Sequence, residues 1–450
     1  MAADAKPCLT GPRVRLPGDS EVLYDYAPEW CPWFYASGPN LQAVVRDVTN
    51  QALRAEEVLP RFQRKRSRRI NDLAIFQGIV DSLVAHVAHE CLRGGGPVSL
   101  SLSKKILARS SRYLSPLQSK QLPEVIKLLS SRELAFLTVI PGRKADAFNE
   151  GRLTRISAGP RLVSRLADVT LDDISRKDGE EVILLKGDRD EQTGIANLID
   201  YPDNDFADSY RGEMKRINTH LAAADIEYVG NSKLFDDRKR HLVRRFTRGQ
   251  WGCGGRLWGG FWDSPMSKAE RLANVRISGE RVVSVDFSSM ILRLAYTYAG
   301  ATPPAGDLYE ITFKGTDGAP VVLPRAVIKK VISARLNGAK EWPEELRAHR
   351  AGLPWRMVVA SLRDAHAPIA EVFDRDLGQE LAFTESEILV DALLDLVDRD
   401  VVALPLHDCI LVAESDEAAA TAAMLDSFKF HTNQNGRVSI ERAELPRALY

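Results

Sequence analysis

The chain has 450 residues, enough for two or three domains with packed cores, and its 44% hydrophobic and 27% charged content is that of an ordinary globular protein. Lys plus Arg equals Asp plus Glu at 61 each, so there is no global basic field and any nucleic-acid binding must rest on local patches. Cys8, Cys31, Cys91, Cys253 and Cys409 are scattered, odd in number and without a Cys-x-x-Cys pair, which excludes a disulfide framework or zinc knuckle and reads as a reducing compartment. With no run of 18 apolar residues and no signal-peptide pattern, the expectation is a soluble, cytoplasmic protein without a membrane partner.

Residues 1–40 place Trp30, Trp33, Phe34 and Tyr35 among Pro and Gly and read as an irregular arm. Residues 41–95 read as helical, so 1–95 forms a first region of arm and helices. In "HVAHEC", His86, His89 and Cys91 suggest a metal, but no fourth ligand stands nearby and a helix surface explains them better. The run "RFQRKRSRR" at 61–69 has six cations and no acid. It is either a solvated face or a phosphate contact.

The second region is 96–185. "SKQLPEVIKLLSSREL" puts Leu122, Val125, Ile126, Leu128 and Leu129 on one helical face. "LAFLTVIPG" then alternates as a strand, a polar loop follows, and "GRLTRISAG" reads as a second strand. Helix, strand, basic loop, strand is the order of a winged helix-turn-helix, with Arg143, Lys144, Arg152 and Arg155 touching DNA phosphates from the wing. The alternative is a small α+β packing module with an exposed hairpin.

Residues 185–205 are turn-rich and polar and are expected to separate the domains, leaving 200–450 as the third region. An amphipathic helix follows, with Phe206, Tyr210, Met214, Ile217 and Leu221 stepping at three and four residues. After it comes a stretch that is basic and then glycine-rich, "DDRKRHLVRRFTRGQWGCGGRLWGG".

In "RVVSVDFSSMILRLAYTYAG" a buried-type strand runs into Asp286, and "NVRISGERVV" makes that strand half of a hairpin. "VVALPLHDCILVAE" reads as strand, tight turn, strand, with His407 and Asp408 at the turn. Two oxygen ligands at strand ends suit hard divalent cations such as Mg²⁺. A pair of such ions about 4 Å apart can clamp the attacking and leaving oxygens of a phosphoryl displacement. Read blandly, each acid is a cap or a surface ion-pair partner. Between them, "PRAVIKKVISARLNGAKEW" reads as a helix with Arg325 and Lys329 four apart on one face and Lys330 beside them. Cations there would neutralise a triphosphate opposite the metals; otherwise this is a surface helix.

These stretches, in order, resemble motifs A, B and C of family A DNA polymerases and of their relatives, the single-subunit phage and mitochondrial RNA polymerases. "DFSSMILR" (286–293) is similar to the "DYSQIELR" of motif A. Arg325, Lys329 and Gly338 match the spacing of motif B, and "NGAKEW" is similar to the "YGSKE" of phage RNA polymerases. "LHDC" matches the His-Asp turn of motif C, and "GGRL" (254–257) resembles the "TGRL" element that precedes motif A. The set covers residues 250–415.

The resemblance implies an α+β fold: a right-hand polymerase palm with helical fingers and thumb, beside the N-terminal winged-helix-like α+β domain. It implies a template-directed nucleotidyltransferase that extends a strand with release of pyrophosphate. Asp286, Asp408 and the backbone carbonyl of Phe287 would bind two Mg²⁺ ions, with Mn²⁺ as a substitute. Arg325 and Lys329 would grip the nucleoside triphosphate, Lys329 also serving the chemistry, with Ser333, Asn337 and Ile291 around the nucleotide. Arg256, His407, Arg293 and Lys330 would face a DNA (or RNA) primer–template. Ile291 stands where DNA polymerases carry the glutamate that excludes a ribose 2′-hydroxyl, Asn337 where both branches carry tyrosine, Ser333 where DNA polymerases often have phenylalanine, and Cys409 where the "HDE" glutamate would be. The helix at 206–224 would belong to a thumb, and the stripe Leu381, Ile388, Leu389, Leu393 and Leu396 would pack under the palm sheet. Alternatives are a primase or small RNA polymerase with relaxed sugar selection, a non-catalytic DNA-binding replication protein, and a phosphohydrolase using the same metals.

Overall fold

The computed structural model describes residues 27–144, 151–190, 192–231, 234–263 and 265–443. The first 26 residues of the expected arm and the loop tip at 145–150 lie outside the described residues. The chain divides into two compact units, Met1–Glu181 with Asn231–Leu234, and Val182–Gly230 with Phe235–Tyr450.

The first unit is built on the helix Ile70–Leu92, which is apolar nearly all round. Phe76, Ile79, Val80, Leu83, Val84 and Val87 on it are buried. By length and composition this helix could cross a membrane, yet a helix buried on every face of a core has the same composition. His86 and His89 are not on a helix surface, as the sequence suggests, but in this core: they are 4% and 2% exposed and both ring-pack on Phe34. His86 Nδ1 accepts a hydrogen bond from the Cys31 amide at 2.9 Å, whereas Cys91 is exposed.

Strand Val98–Leu100, helices Lys104–Leu107 and Leu122–Leu129, and strands Leu137–Ile140 and Thr154–Ala158 follow in order. Thr154–Ala158 lies centrally and pairs antiparallel with both other strands, Val98 and Val139 facing Ile156 from either side. Leu122, Val125, Ile126, Leu128 and Leu129 are all buried against this core. Arg143 and Arg152 extend the hairpin by a reciprocal backbone pair at 2.8 and 2.9 Å. Arg143 and Lys144 are exposed, while Arg152 and Arg155 are half-buried. Of the basic run, Arg68 is folded inward onto Glu56, Gln121 and the face of Phe76, and Arg61 pairs with Glu133. Lys65, Arg66 and Arg69 are exposed.

In the second unit the turn-rich segment does not act as a linker only. Ile183–Arg189 and Ala196–Leu198 are strands of a four-stranded sheet completed by Val243–Thr247 and Gln250–Trp258. The helix Asp205–Ala223, capped by the Asn204 side chain, buries Ala207, Tyr210, Met214, Ile217 and Leu221, but Phe206 at its first turn is 65% exposed. Arg244, fully buried, binds this region together: its guanidinium donates to the Gly255 carbonyl, Glu213, Glu387 and Ser386 and lies over the Tyr210 ring.

A second sheet carries the candidate site. Glu280–Phe287 is its central strand, paired antiparallel with Cys409–Ala413 on one side and with Val275–Ile277 and Val438–Glu441 on the other. Val282, Val283, Ser284 and Val285 are all buried, because helices cover the sheet. The 21-residue helix Gly378–Asp398 puts Leu381, Ile388, Leu389, Leu393 and Leu396 in the core.

Candidate active site

Strand alternation sets the direction of Asp286. Phe287 packs on Phe428 of the helix Glu417–Thr432, so Asp286, its neighbour, projects from the other face of the sheet. Directly across the ladder from Asp286 is Cys409, and the Phe287 amide donates to the Asp408 carbonyl at 3.2 Å. His407 and Asp408 form the two-residue turn between Leu404–Leu406 and Cys409–Ala413, with His407 at φ 59°. A positive φ in the first central position suits the twist of a tight hairpin, and here it costs a non-glycine residue strain. The hairpin thereby delivers Asp408 beside the end of the Asp286 strand.

The electrostatics bear the mark of this meeting. Burial first, and the charge of Asp408 second, push the Asp286 pKa up to about 6, while Lys268 and Lys329 pull it down. Cys409 is pushed to about 12 by burial and by both aspartates. A third carboxyl stands behind them: Glu385, 2% exposed, is pushed to about 7 by burial and by Asp408 and Asp286, against the opposing pull of Arg256. Arg256 Nε donates to Glu385 at 2.7 Å, and Asp408 also acts on the guanidinium.

Arg256 reaches this position through the glycines before it. Gly254 and Gly255 have φ of 79° and 76° and stand at register shifts in the strand Gln250–Trp258. A Cβ on Gly255 would lie 2.5 Å from Ser386 Oγ. "GGRL" is therefore a bulged strand that only glycine can follow. His407 packs edge-on against Trp258 at 5.2 Å, its buried Nδ1 has no hydrogen-bond partner among the described residues, and burial lowers its pKa, which favours the neutral ring.

The helix Arg325–Leu336 turns an exposed stripe outward, with Arg325, Lys329 and Ser333 one turn apart. Asn337 closes the stripe at the C-cap, donating to the Ser333 carbonyl and accepting from Gln379. Lys329 is near enough to Asp286 to lower its pKa. Lys330 is exposed but falls one residue, or about 100°, off this stripe. Ile291 is half-buried in the first turn of Met290–Tyr298, five residues beyond Asp286. Arg293 is not displayed with these groups: it is 8% exposed, with Nε donating to the Ser288 carbonyl at 2.9 Å.

No protein-family model matches the sequence, and no curated protein matches it. Among solved structures, the chain is similar to the POL domain of Pol1 from M. smegmatis, determined in complex with DNA primer-template and dNTP. The likeness has 14% identity and a TM-score of 0.24; it covers 52% of this chain and 50% of that chain, so the match spans about half of that protein's length.

Three residues at the site were not picked out from the sequence. Glu385 carries a legible signal, because it sits on the apolar stripe of its helix, four after Leu381 and three before Ile388, where an acid needs a reason. Asp307 and Tyr309 carry none, since they lie in a turn. Tyr309 is buried with Arg325 and Lys329 over its ring at 5.1 and 5.3 Å, and burial and Asp408 raise its pKa. Asp307 pairs with Arg325.

The donor set suits hard divalent cations. A buried carboxylate whose proton affinity is raised by the charge of a second makes a site that a cation relieves, and among the described residues no imidazole joins the pair, since His407 is turned onto Trp258.

Proposed function

We propose that the chain is a template-directed nucleotidyltransferase, a reduced and divergent relative of the family A DNA polymerases, with Glu280–Phe287 and Leu404–Ala413 as the heart of a palm and Arg325–Leu336 as a fingers helix. The observation that carries this reading is the pair Asp286 and Asp408 on neighbouring antiparallel strands, facing a cationic stripe whose Lys329 acts on Asp286.

Divalent ions, Mg²⁺ or Mn²⁺, held by Asp286 and Asp408 would supply the positive charge that in-line phosphoryl transfer requires. The chain's own residues supply the rest. Arg325 and Lys329 bind the triphosphate and stabilise the charge that gathers on departing pyrophosphate. Tyr309 backs both cations with an apolar ring face, which keeps their side chains over the site. Arg256, held by Glu385, and neutral His407 lie beside Asp408, where a primer terminus would meet the nucleotide. Ile291, in the first turn of the helix that follows Asp286, would pack against the sugar.

The first unit supports nucleic-acid binding in its own right. Its helix, strand, two helices and hairpin, with the last strand between the other two, have the chain order of a winged helix, and Arg143, Lys144, Arg152 and Arg155 cluster on the hairpin. A double-stranded DNA contact there is part of the proposal.

Primer extension with deoxyribonucleotides and ribonucleotides, in parallel and with pyrophosphate measured, tests the reading. Incorporation with one pyrophosphate per nucleotide supports it. Strand initiation without a primer, or strong ribonucleotide preference, would replace it with the primase or small RNA polymerase reading. Release of inorganic phosphate without incorporation would identify a phosphohydrolase instead.

A further inference from the structure

We propose that Asp307 acts as a stand-in for a phosphate group, occupying Arg325 until a polyphosphate displaces it, and so sets which anions the site accepts. This rests on the reading of Arg325 and Lys329 as the triphosphate-binding pair.

The contact has the form that phosphate recognition takes. Arg325 Nε donates to Asp307 Oδ2 at 2.6 Å and Nη2 donates to Oδ1 at 3.1 Å, so one edge of the guanidinium is filled by two oxygens of one anion. A phosphate uses the same fork. Lys329, four residues on, has no ion-paired carboxylate among the described residues, and both cations stand over the ring of Tyr309. Arg325 is thus held in an ion pair in the free protein, while Lys329 acts on Asp307 and Asp286 only through space.

Asp307 is held in place rather than drifting over the surface. Its Oδ1 also accepts from the Tyr309 amide at 3.1 Å. The intervening Leu308 carbonyl accepts from Nε2 of His366, which is 2% exposed, while Tyr296 donates to His366 Nδ1 at 3.0 Å. Tyr296 belongs to the helix that follows Asp286, so the turn bearing Asp307 is tied through a buried imidazole to the element that follows a metal-binding residue.

The consequence is selective. The Asp307–Arg325 pair is half-exposed, 52% and 37% on its two sides, so it is weak enough to open. An anion that reaches both Arg325 and Lys329 replaces one carboxylate with several phosphate oxygens and gains the second cation. A single phosphate, which can fill only one of the two, must compete with Asp307 for Arg325 and gains little. The device favours triphosphate and pyrophosphate over orthophosphate.

Asp307→Asn isolates the charge, because the amide oxygen can still accept from the Tyr309 amide. Binding of inorganic triphosphate and of orthophosphate, each with Mg²⁺, is measured by calorimetry on the full chain. The expected result for Asp307→Asn is binding of triphosphate roughly two- to fivefold tighter, the change that removing one exposed ion pair allows, and a larger relative gain for orthophosphate. In an Arg325→Gln background the same substitution is expected to change neither. Unchanged or weaker triphosphate binding in Asp307→Asn, or a gain that persists without Arg325, overturns the proposal. If Arg325→Gln and Lys329→Gln leave triphosphate binding intact, the triphosphate reading itself fails, which the comparison of single variants separates from failure of the Asp307 role alone.

Discussion

Asp286 and Asp408 come from chain positions 122 residues apart and meet diagonally across one antiparallel ladder, with Cys409 opposite Asp286 and the Asp408 carbonyl accepting from the Phe287 amide. Buried, and with a second carboxylate at hand, Asp286 has its pKa pushed up to about 6. Without a cation, the pair is an electrostatic liability that an apolar strand and a tight hairpin force upon the fold. Such a cost is retained where a site must bind positive charge.

Asp286→Asn and Asp408→Asn should each remove nucleotide incorporation by on the order of 10³-fold or more, because each deletes an anionic ligand from the reacting centre. Both variants should fold, since asparagine keeps the shape and sheds the repulsion. Incorporation that survives both substitutions would falsify the two-metal reading.

Stability in metal-free buffer should fall as pH rises from about 4 to about 7. Asp286 and Glu385 are raised from 3.8 to about 6 and from 4.5 to about 7, so over that window the folded chain holds protons that the unfolded chain has lost. Each raised carboxyl should contribute on the order of 3 kcal/mol. Asp307 and Asp374, held low by hydrogen bonds from Arg325 and Arg363, work in the opposite sense but only below about pH 4. Urea unfolding in chelator at pH 5 and pH 8 measures the difference. Mg²⁺ at pH 8 should restore part of it, and Asp286→Asn should flatten the profile. Equal stability at both pH values in wild type would contradict the raised carboxyls.

Ile291→Glu should sharpen sugar selection. A carboxylate in the first turn after Asp286 can make polar contacts that the Ile291 side chain cannot, and rejection of a 2′-hydroxyl should rise by about tenfold, or about 1.4 kcal/mol. The ratio of kcat/KM for deoxyribonucleotides over ribonucleotides reports it. An unchanged ratio with activity intact would place the sugar away from Ile291.

Arg244→Met should destabilise the second unit by about 2–4 kcal/mol, because it strands Glu213 and Glu387 beside the apolar Tyr210 and Phe246 rings. Chemical denaturation followed through the tryptophans measures this. Adding Glu387→Gln to Arg244→Met should recover part of the loss, since one of the orphaned charges is then gone.

What can be read along the chain is what depends on local order. A short apolar run of the buried type marked the strand before Asp286, helical spacing placed Arg325 and Lys329 on one face, and His-Asp between two apolar runs marked a hairpin. Each depends on apolar runs or helical spacing among neighbours in sequence. The histidines of the long helix were misplaced, because a helix buried all round has no polar face to orient it, and His86 depends on the Cys31 amide 55 residues away. The strand Ile183–Arg189 was missed for a similar reason: its ladder partner, Val243–Thr247, is distant in sequence.

By itself, then, the sequence marked Asp286, Asp408, Arg325, Lys329 and Arg256 as candidates and the local element that presents each one. The tertiary structure decided the company they keep. It set Asp408 against Asp286, put Glu385 and Arg256 behind them, turned Arg293 inward onto Ser288, and laid Asp307 on Arg325. Charge and burial act between elements brought together by packing, over distances of a few ångströms that no spacing along the chain encodes.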